Sequence, residues 1–435
     1  MNKNIYKKKW DEAKKTILGG NSLISKRPEL HLPVYWPTYY KKAKGCFVWD
    51  IQGKKYIDMI FAVGQNTLGY ANSQIDKKII DALKKGNMSS LNCVEELELA
   101  QRLLKIHKWA GMAKFARSGA EASSIAIRIA RSVNNNDSIA VCGYHGWHDW
   151  YLSMNLKSKN SLNEHLLPGL NPIGVPKYLK NKVHPFSMND FNGFKNLYSK
   201  YKIGIAIIEI ARTSMPNLEF LKNVRKFCNK NKIILIFDEC TSAFRVNYGG
   251  LHLITNVNPD IATFGKALGN GYAISAIIGK KNIMQKAKGS FISSTFWSER
   301  IGFVAANETL KVMKKTRSQK LIKKNGDYLQ KKLKQISKIH NVPIIVNDMK
   351  GITSFIFKDN HQKLKTFMTQ EMLKFGFLAS NVTYVSIEHK KIIIDKYIYF
   401  LSKVFKKINI LQKTNFKNPF LKGPVSASHF KRLSS

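Results

Sequence analysis

The stretch Ile233-Ile234-Leu235-Ile236-Phe237-Asp238-Glu239 decides the fold. Its unbroken apolar run shows no alternation of faces, so it reads as a short strand covered on both sides. A carboxylate at the end of such a strand is costly unless paired. Asp238 therefore needs a cationic or protonated partner, either a protonated ring nitrogen of a ligand or an arginine such as Arg245. Working outward, similar runs occur at Ile139–Cys142, Ile205–Ile210 and Ile274–Ile278. Between them lie helical patterns. Ser118–Val133 carries Ala122, Ile125, Ala126, Ile129, Ala130 and Val133 at helical spacing, and Leu218–Asn231 is another such segment. This alternation predicts an α/β domain around a mostly parallel buried sheet. Ligands in such sheets sit beyond the carboxyl ends of the strands, so the residues after each run carry the chemistry.

The flanks read differently. An amphipathic helix is expected over residues 5–17, with Trp10, Ala13 and Ile17 on its apolar side and Gly19-Gly20-Asn21 ending it. Cys46–Asp50 and Lys54–Asp58 read as strands around a turn. From about Ala306 the pattern becomes one long Lys-rich helix, Asn307–Ile339, then strands at Val342–Val346 and Ile352–Phe357 and a last helix, Lys391–Ile408. The expected organisation is an N-terminal segment (1–58), a large domain (59–305), a smaller α+β domain (306–410) and an extended or flexible tail (411–435).

Composition narrows the class. The chain has 435 residues, 44% hydrophobic and 23% charged, as in globular proteins. It lacks the run of about 18 apolar residues that a membrane helix needs. Met1–Lys15 is polar and basic, without the apolar stretch of a secretory signal, so a cytoplasmic location is expected. The five cysteines are scattered, with no Cys-x-x-Cys, which argues against a zinc site or disulfide framework; Cys142 and Cys240 read as packed thiols. The formal charge is 72 − 28 = +44. Such a charge suits a basic nucleic-acid-binding protein, or a composition in which lysine fills polar surfaces generally. The lysines are spread along the whole chain, which favours the second reading.

Four further segments carry candidate chemistry. In Arg117-Ser118-Gly119-Ala120-Glu121, Ser118 and Glu121 fit a capping box, and the open helix start would also receive a phosphate. Tyr144-His145-Gly146-Trp147-His148-Asp149 follows a strand and offers rings to stack on a flat ligand, or simply a packed aromatic turn. Its two histidines have no third ligand at recognisable spacing, so no metal is expected. In Phe264-Gly265-Lys266-Ala267-Leu268-Gly269-Asn270-Gly271 a lysine stands among glycines and apolar residues, unlike the many on polar faces. Partial burial would lower its pKa and make it a nucleophile toward carbonyls. Ser293-Ser294-Thr295-Phe296-Trp297 offers hydroxyls for a phosphate, or a plain turn.

Together, and in this order, these segments resemble the class III aminotransferases of the fold type I pyridoxal-phosphate superfamily, nearest to the glutamate-1-semialdehyde 2,1-aminomutase-like proteins. The resemblance runs from Trp10 to Tyr384. It implies pyridoxal 5'-phosphate as cofactor, with the pyridoxamine 5'-phosphate form during turnover. It implies Lys266 as Schiff-base lysine and proton carrier, Asp238 on the pyridine nitrogen, and Ser118, Gly119 and Ala120 around the phosphate. Tyr144 would stack on the ring with His145 beside it, and Glu209 matches a family glutamate. Thr295 would reach the phosphate of a neighbouring subunit in a homodimer. The partners implied are a small-molecule amino donor and a carbonyl acceptor. Departures concern the substrate. Where the aminomutases carry a carboxylate-gripping arginine this chain has Ser25, with Lys26 and Arg27 displaced, and Asn381 stands where they have a glutamate before His389. Ile210 replaces the usual proline after Glu209, and Thr241-Ser242-Ala243-Phe244-Arg245 varies a family motif. Transamination of another substrate is thus favoured over the aminomutase reaction that makes 5-aminolevulinate.

Overall fold

A computed structural model describes residues 4–134, 136–158, 160–165, 170–212, 214–215, 217–414 and 420–428. They group into two compact units: Met1–Asn72 with Leu321–Ser435, and Ser73–Lys320.

The Ser73–Lys320 unit is built on a seven-stranded sheet. Its strands are β1 (Met112–Ala116), β2 (Ile139–Cys142), β3 (Val183–Pro185), β4 (Ile205–Glu209), β5 (Ile234–Asp238), β6 (Ile261–Phe264) and β7 (Ser275–Gly279). Their spatial order is β1-β7-β6-β5-β4-β2-β3. The run from β6 to β3 is parallel, in register Ile205↔Ile234 and Phe237↔Ala262. Every residue of β2, β4, β5 and β6 is buried, as unbroken apolar runs require. β7 runs antiparallel to both its neighbours. The segment 265–274 before it is too short for a parallel crossover, which takes about a dozen residues or more, so the chain must turn back. β1 is consequently parallel to β6, and the carboxyl ends of β1, β2, β4, β5 and β6 lie on one edge.

The sequence reading found β2, β4, β5 and β7 but not β1, β3 and β6. β1 (Met-Ala-Lys-Phe-Ala) is interrupted by Lys114, β3 is three residues ending in Pro185 at the sheet edge, and β6 is a four-residue strand containing Thr263. None makes a run long enough to register.

In the other unit, strands Tyr40–Lys44, Phe47–Asp50 and Lys55–Asp58 form an antiparallel meander. Phe377–Leu378 extends it in parallel, Phe377 opposite Ile57. Leu32, Trp36, Tyr56, Leu373 and Leu378 form a shared core. Residues distant in sequence thus share one sheet, a pairing that periodicity does not display. Strands Ile344–Val346, Ile352–Phe357 and Val382–Tyr384 form a second, antiparallel sheet. The long Lys-rich helix is two helices, Arg300–Thr316 and Ser318–Ile339, divided where Arg317 takes a left-handed φ of +50°. The last helix runs Lys391–Lys413. Of the tail, residues 420–428 are irregular but anchored: Gln362 Nε2 donates to the Ser426 carbonyl at 2.7 Å, and the Ala427 N–H to the Glu29 carbonyl at 2.7 Å. Residues 415–419 and 429–435 lie outside the described residues. No described helix is long and apolar enough to cross a membrane.

Candidate active site

At the carboxyl edge, β6 leads through Gly265 into Lys266, whose φ of +39° is left-handed. That conformation costs a side-chain-bearing residue about 1–2 kcal/mol, and strain of this kind gathers at functional sites. Lys266 is half-buried, and its Nζ donates to Thr241 Oγ1 at 3.0 Å. Burial and, next, the charge of Arg212 hold the amine below the ordinary lysine range, against the pull of Cys240, Glu209 and Asp238.

Asp238 closes β5, 3% exposed. Its Oδ2 accepts from His145 Nδ1 at 2.8 Å and Ser123 Oγ at 3.3 Å, and its Oδ1 from the Cys240 N–H at 2.9 Å. Burial alone would raise this carboxyl, but the His145 hydrogen bond and charge, with Cys240 N–H and Lys266, hold it down at about 2. The partner named as an alternative from sequence, Arg245, is instead turned to the Thr241 carbonyl. His145 fills the place because the turn after β2 brings it beneath β5. The other nitrogen of His145 meets the Cys142 carbonyl at 3.1 Å, so both ring nitrogens face acceptors.

The helix Gly119–Asn134 starts just beyond β1. Its capping box is formed in both directions: the Glu121 N–H donates to Ser118 Oγ at 3.3 Å, and Glu121 Oε2 accepts the Ser118 and Arg117 N–H groups at 2.7 and 3.0 Å. The Gly119 and Ala120 N–H groups have no partner among the described residues, leaving two aligned donors at a positive helix end. Two glycines keep this place open. A Cβ on Gly119 would lie 3.1 Å from Cys240 Sγ, and one on Gly146, at φ +108°, would lie 2.4 Å from the Ala120 Cβ. Gly146→Ala is expected to lower stability by roughly 2–4 kcal/mol in urea unfolding and to weaken pyridoxal-phosphate binding at least about tenfold, equivalent to ~1.4 kcal/mol. Gly289→Ala, where a Cβ meets nothing within 4 Å, is the neutral control.

Tyr144 and Glu209 meet across β2 and β4: the Tyr144 N–H donates to Glu209 Oε2 at 3.0 Å. Sequence reasoning missed the residue that joins them. Arg212 pairs with Glu209 through two of its three nitrogens, Nε–Oε2 at 3.0 Å and Nη2–Oε1 at 2.7 Å. Its guanidinium lies over the Tyr144 ring, 5.3 Å from the centroid. The signal was available, because Arg212 follows the end of an apolar run, where ligand-facing residues are expected. Thr241 was likewise read only as part of a varied motif. Thr295 stands apart from this group, exposed in the turn Thr295–Ser298. Arg117 secures that turn by donating to the Phe296, Trp297 and Glu299 carbonyls, and Trp297 Nε1 reaches Glu121 Oε1 at 3.0 Å. Asn381 and His389, in the other unit, are engaged locally, with the Phe355 and Asp58 carbonyls. Among the described residues, no cluster of three His, Cys, Asp or Glu could hold a metal.

Residues 32–387 match the class III aminotransferase family. The chain belongs to it. It is 31% identical over 379 residues to the 3-aminobutyryl-CoA aminotransferase of Cloacimonas acidaminovorans, covering 84% of this chain and 87% of that one. It is 30% identical over 433 residues to the glutamate-1-semialdehyde 2,1-aminomutase of Wigglesworthia glossinidia brevipalpis, covering 93% and 98%. Among solved structures it shares its fold with the FumI protein of Sphingopyxis sp. MTA144 in its PLP internal aldimine form (TM-score 0.84, 21% identity, 95% and 98% covered) and with an omega-transaminase from Sphaerobacter thermophilus (0.81, 19%, 92% and 96%). This class III aminotransferase is therefore an α/β enzyme of the fold type I architecture that performs pyridoxal-phosphate-dependent amino-group transfer, with small-molecule donors and acceptors.

Proposed function

We propose that this class III aminotransferase is a transaminase whose cofactor is attached through Lys266 and alternates between pyridoxal and pyridoxamine phosphate forms. The observation that carries the reading is the convergence, at one sheet edge, of a deprotonation-prone amine (Lys266), a buried charged carboxylate (Asp238) and unpartnered helix-start N–H groups (Gly119, Ala120). These residues fit the group. Its phosphate suits Gly119, Ala120 and the Ser118 hydroxyl, and its flat ring suits Tyr144. Asp238 has used three of about four lone-pair positions, which leaves one for a ring N–H. Bound there, pyridoxal phosphate supplies an electron sink for the carbon bearing the amino group. Asp238 keeps the ring nitrogen protonated, with His145 fixing the carboxylate. Lys266 would carry the proton to and from the substrate carbon, with Thr241 orienting its Nζ.

A homodimer accompanies this reading. In the Ser73–Lys320 unit Leu91 and Phe291 are 83% and 85% exposed, with Val94, Leu97 and Phe296 also bare. Apolar groups of this size favour cover by a second copy, which would let Thr295 reach the neighbouring phosphate. Transamination is preferred to intramolecular amine exchange because Ser25 and Asn381 replace the aminomutase-type arginine and glutamate. The test is a panel of amino donors mixed with the holoenzyme, following the visible band of the pyridoxal form. Donor-dependent loss of the band, restored by a keto acid, is expected. Conversion of glutamate-1-semialdehyde to 5-aminolevulinate, with no donor bleaching the band, would overturn the choice.

A further inference from the structure

The turn that carries Tyr144 and His145 continues into Trp147-His148-Asp149-Trp150, which walls a cavity of about 450 Å³ in the Ser73–Lys320 unit. Neither Lys266 nor Asp238 lines it. Its size falls in the roughly 300–1,000 Å³ range of small-molecule sites. Another wall is one face of the helix Gly119–Asn134, where Ser124, Arg128 and Arg131 stand at positions i, i+4 and i+7. Trp150 ties the two walls together, its Nε1 donating to Ser124 Oγ at 2.9 Å. Arginine is scarce in this chain, 11 of 72 basic residues, yet two arginines one turn apart face this cavity. Where any cation would serve for solubility the chain uses lysine, so a pair of planar forks implies a use for their shape. Arg128 engages one nitrogen, Nη1, with the Phe291 carbonyl at 2.9 Å. Arg131 has only Asp137 near it, 3.8 Å from Nε and outside hydrogen-bond distance. The other guanidinium N–H groups of both have no partner among the described residues. Burial pulls Arg131 below the ordinary arginine range, and the charge of Asp137 opposes this only in part. A partly buried cation with so distant a counter-charge is costly, and an anion beside it removes that cost. Trp147 offers a different kind of contact. It is 67% exposed and stacks on His148 at 4.5 Å between centroids and 23° between planes. Burial holds His148 below the ordinary histidine range, so its ring is neutral at pH 7. A bare indole backed in this way is a platform for a flat heteroaromatic ring. Asp149 adds an acceptor for an amino group on such a ring.

We infer that this cavity binds a small molecule in which a flat heteroaromatic ring carries a phosphate, with the ring on Trp147 and the phosphate at Arg128 and Arg131. Guanidinium forks meet phosphate oxygens in pairs, which makes these contacts strong and directional. Each half of the site excludes a simpler ligand. Inorganic phosphate leaves the indole bare, and an unphosphorylated ring leaves two cations without an anion. Two sources share the required chemistry, a nucleotide and a phosphorylated pyridine of the cofactor's own class. The site is separate from the reaction at Lys266 and does not depend on that assignment.

The experiment is calorimetric titration of borohydride-reduced holoenzyme, whose cofactor site is already filled. The probes are AMP, pyridoxine 5'-phosphate, adenosine and inorganic phosphate. Wild type is expected to take up AMP or pyridoxine 5'-phosphate at one molecule per chain, about tenfold or more tighter than adenosine or phosphate. Whichever of the two binds more tightly identifies the source. Trp147→Ala and Arg131→Met should each weaken that binding about tenfold or more. Trp147→Phe, which keeps a ring, should recover most of the loss. Arg128→Met, at an exposed position where folding is not at risk, should repeat the effect of Arg131→Met. Before reduction all four variants should keep the visible band and the turnover of wild type, since the active-site residues are untouched. No uptake of either ring phosphate by wild type at about 10 mM would overturn the inference. So would equal affinity for adenosine or phosphate alone, or affinities that move less than about twofold in both arginine variants.

Discussion

Lys266→Ala is expected to lower turnover by about 10⁴-fold or more, and to abolish the visible band and the borohydride-reducible adduct. Proton transfer by a positioned side chain is worth about 10²–10⁴-fold, and on the proposed reading this lysine also provides the covalent attachment. Losing 10⁴ corresponds to about 5.4 kcal/mol of barrier. The loss is expected without unfolding, because the side chain makes one hydrogen bond, to Thr241. Stability gives a second, independent signature. The amine's pKa is lowered in the folded chain, mainly by burial. For a base, this means the unfolded state binds more protons in the window between the lowered value and 10.5. Stability of the wild-type apoprotein therefore rises with pH across that window. Below it, the charged amine is a cost that alanine lacks. In urea titrations, apo Lys266→Ala should be more stable than wild type at pH 7, with the difference shrinking as pH approaches 10.5. A parallel offset at all pH values would mean that Lys266 is not buried as a charge, and the account of its reactivity would fail with it.

The large-unit chemistry was legible because it obeys local rules. The apolar run before Asp238, the capping box at Ser118 and Glu121, and the glycines around Lys266 each declare themselves within a few residues. What stayed hidden depends on the third dimension. No spacing rule shows that His145 would lie under Asp238, because its register is set by the parallel pairing of β2 with β4 and β4 with β5. Arg212 was passed over for a related reason. In a chain with 72 lysines and arginines an extra cation carries little information until it is seen clamped to Glu209 over Tyr144. The union of the first 72 residues with the C-terminal segment includes a strand pairing of only two residues, Phe377 and Leu378, which no pattern of period 2 could reveal.

Asp238→Asn carries the other large effect, and its two consequences can be measured apart. A neutral amide cannot hold a ring nitrogen protonated. By analogy with the removal of one preorganised electrostatic group, turnover is expected to fall about 10²–10³-fold, while Asp238→Glu, which keeps the charge, loses less. The apoprotein reports on the same residue without cofactor. Asp238 is held at about 2, below the 3.8 of an unperturbed aspartate. A depressed acid contributes stability that is complete above the unfolded value and is lost as pH falls through the folded one. The shift is worth about 2 kcal/mol. Urea titrations should show Asp238→Asn less stable than wild type by about that amount above pH 4, with the gap closing between pH 4 and 2. His145→Gln removes the chief group opposing burial, so its Asp238 carboxyl is less depressed and less stability is lost between pH 4 and 2 than in wild type. In the double variant the two costs should not add, since each removes the same 2.8 Å contact. Additive losses would mean that the His145–Asp238 pair does not act as a unit, and that the carboxylate is held charged by something other than the ring beneath it.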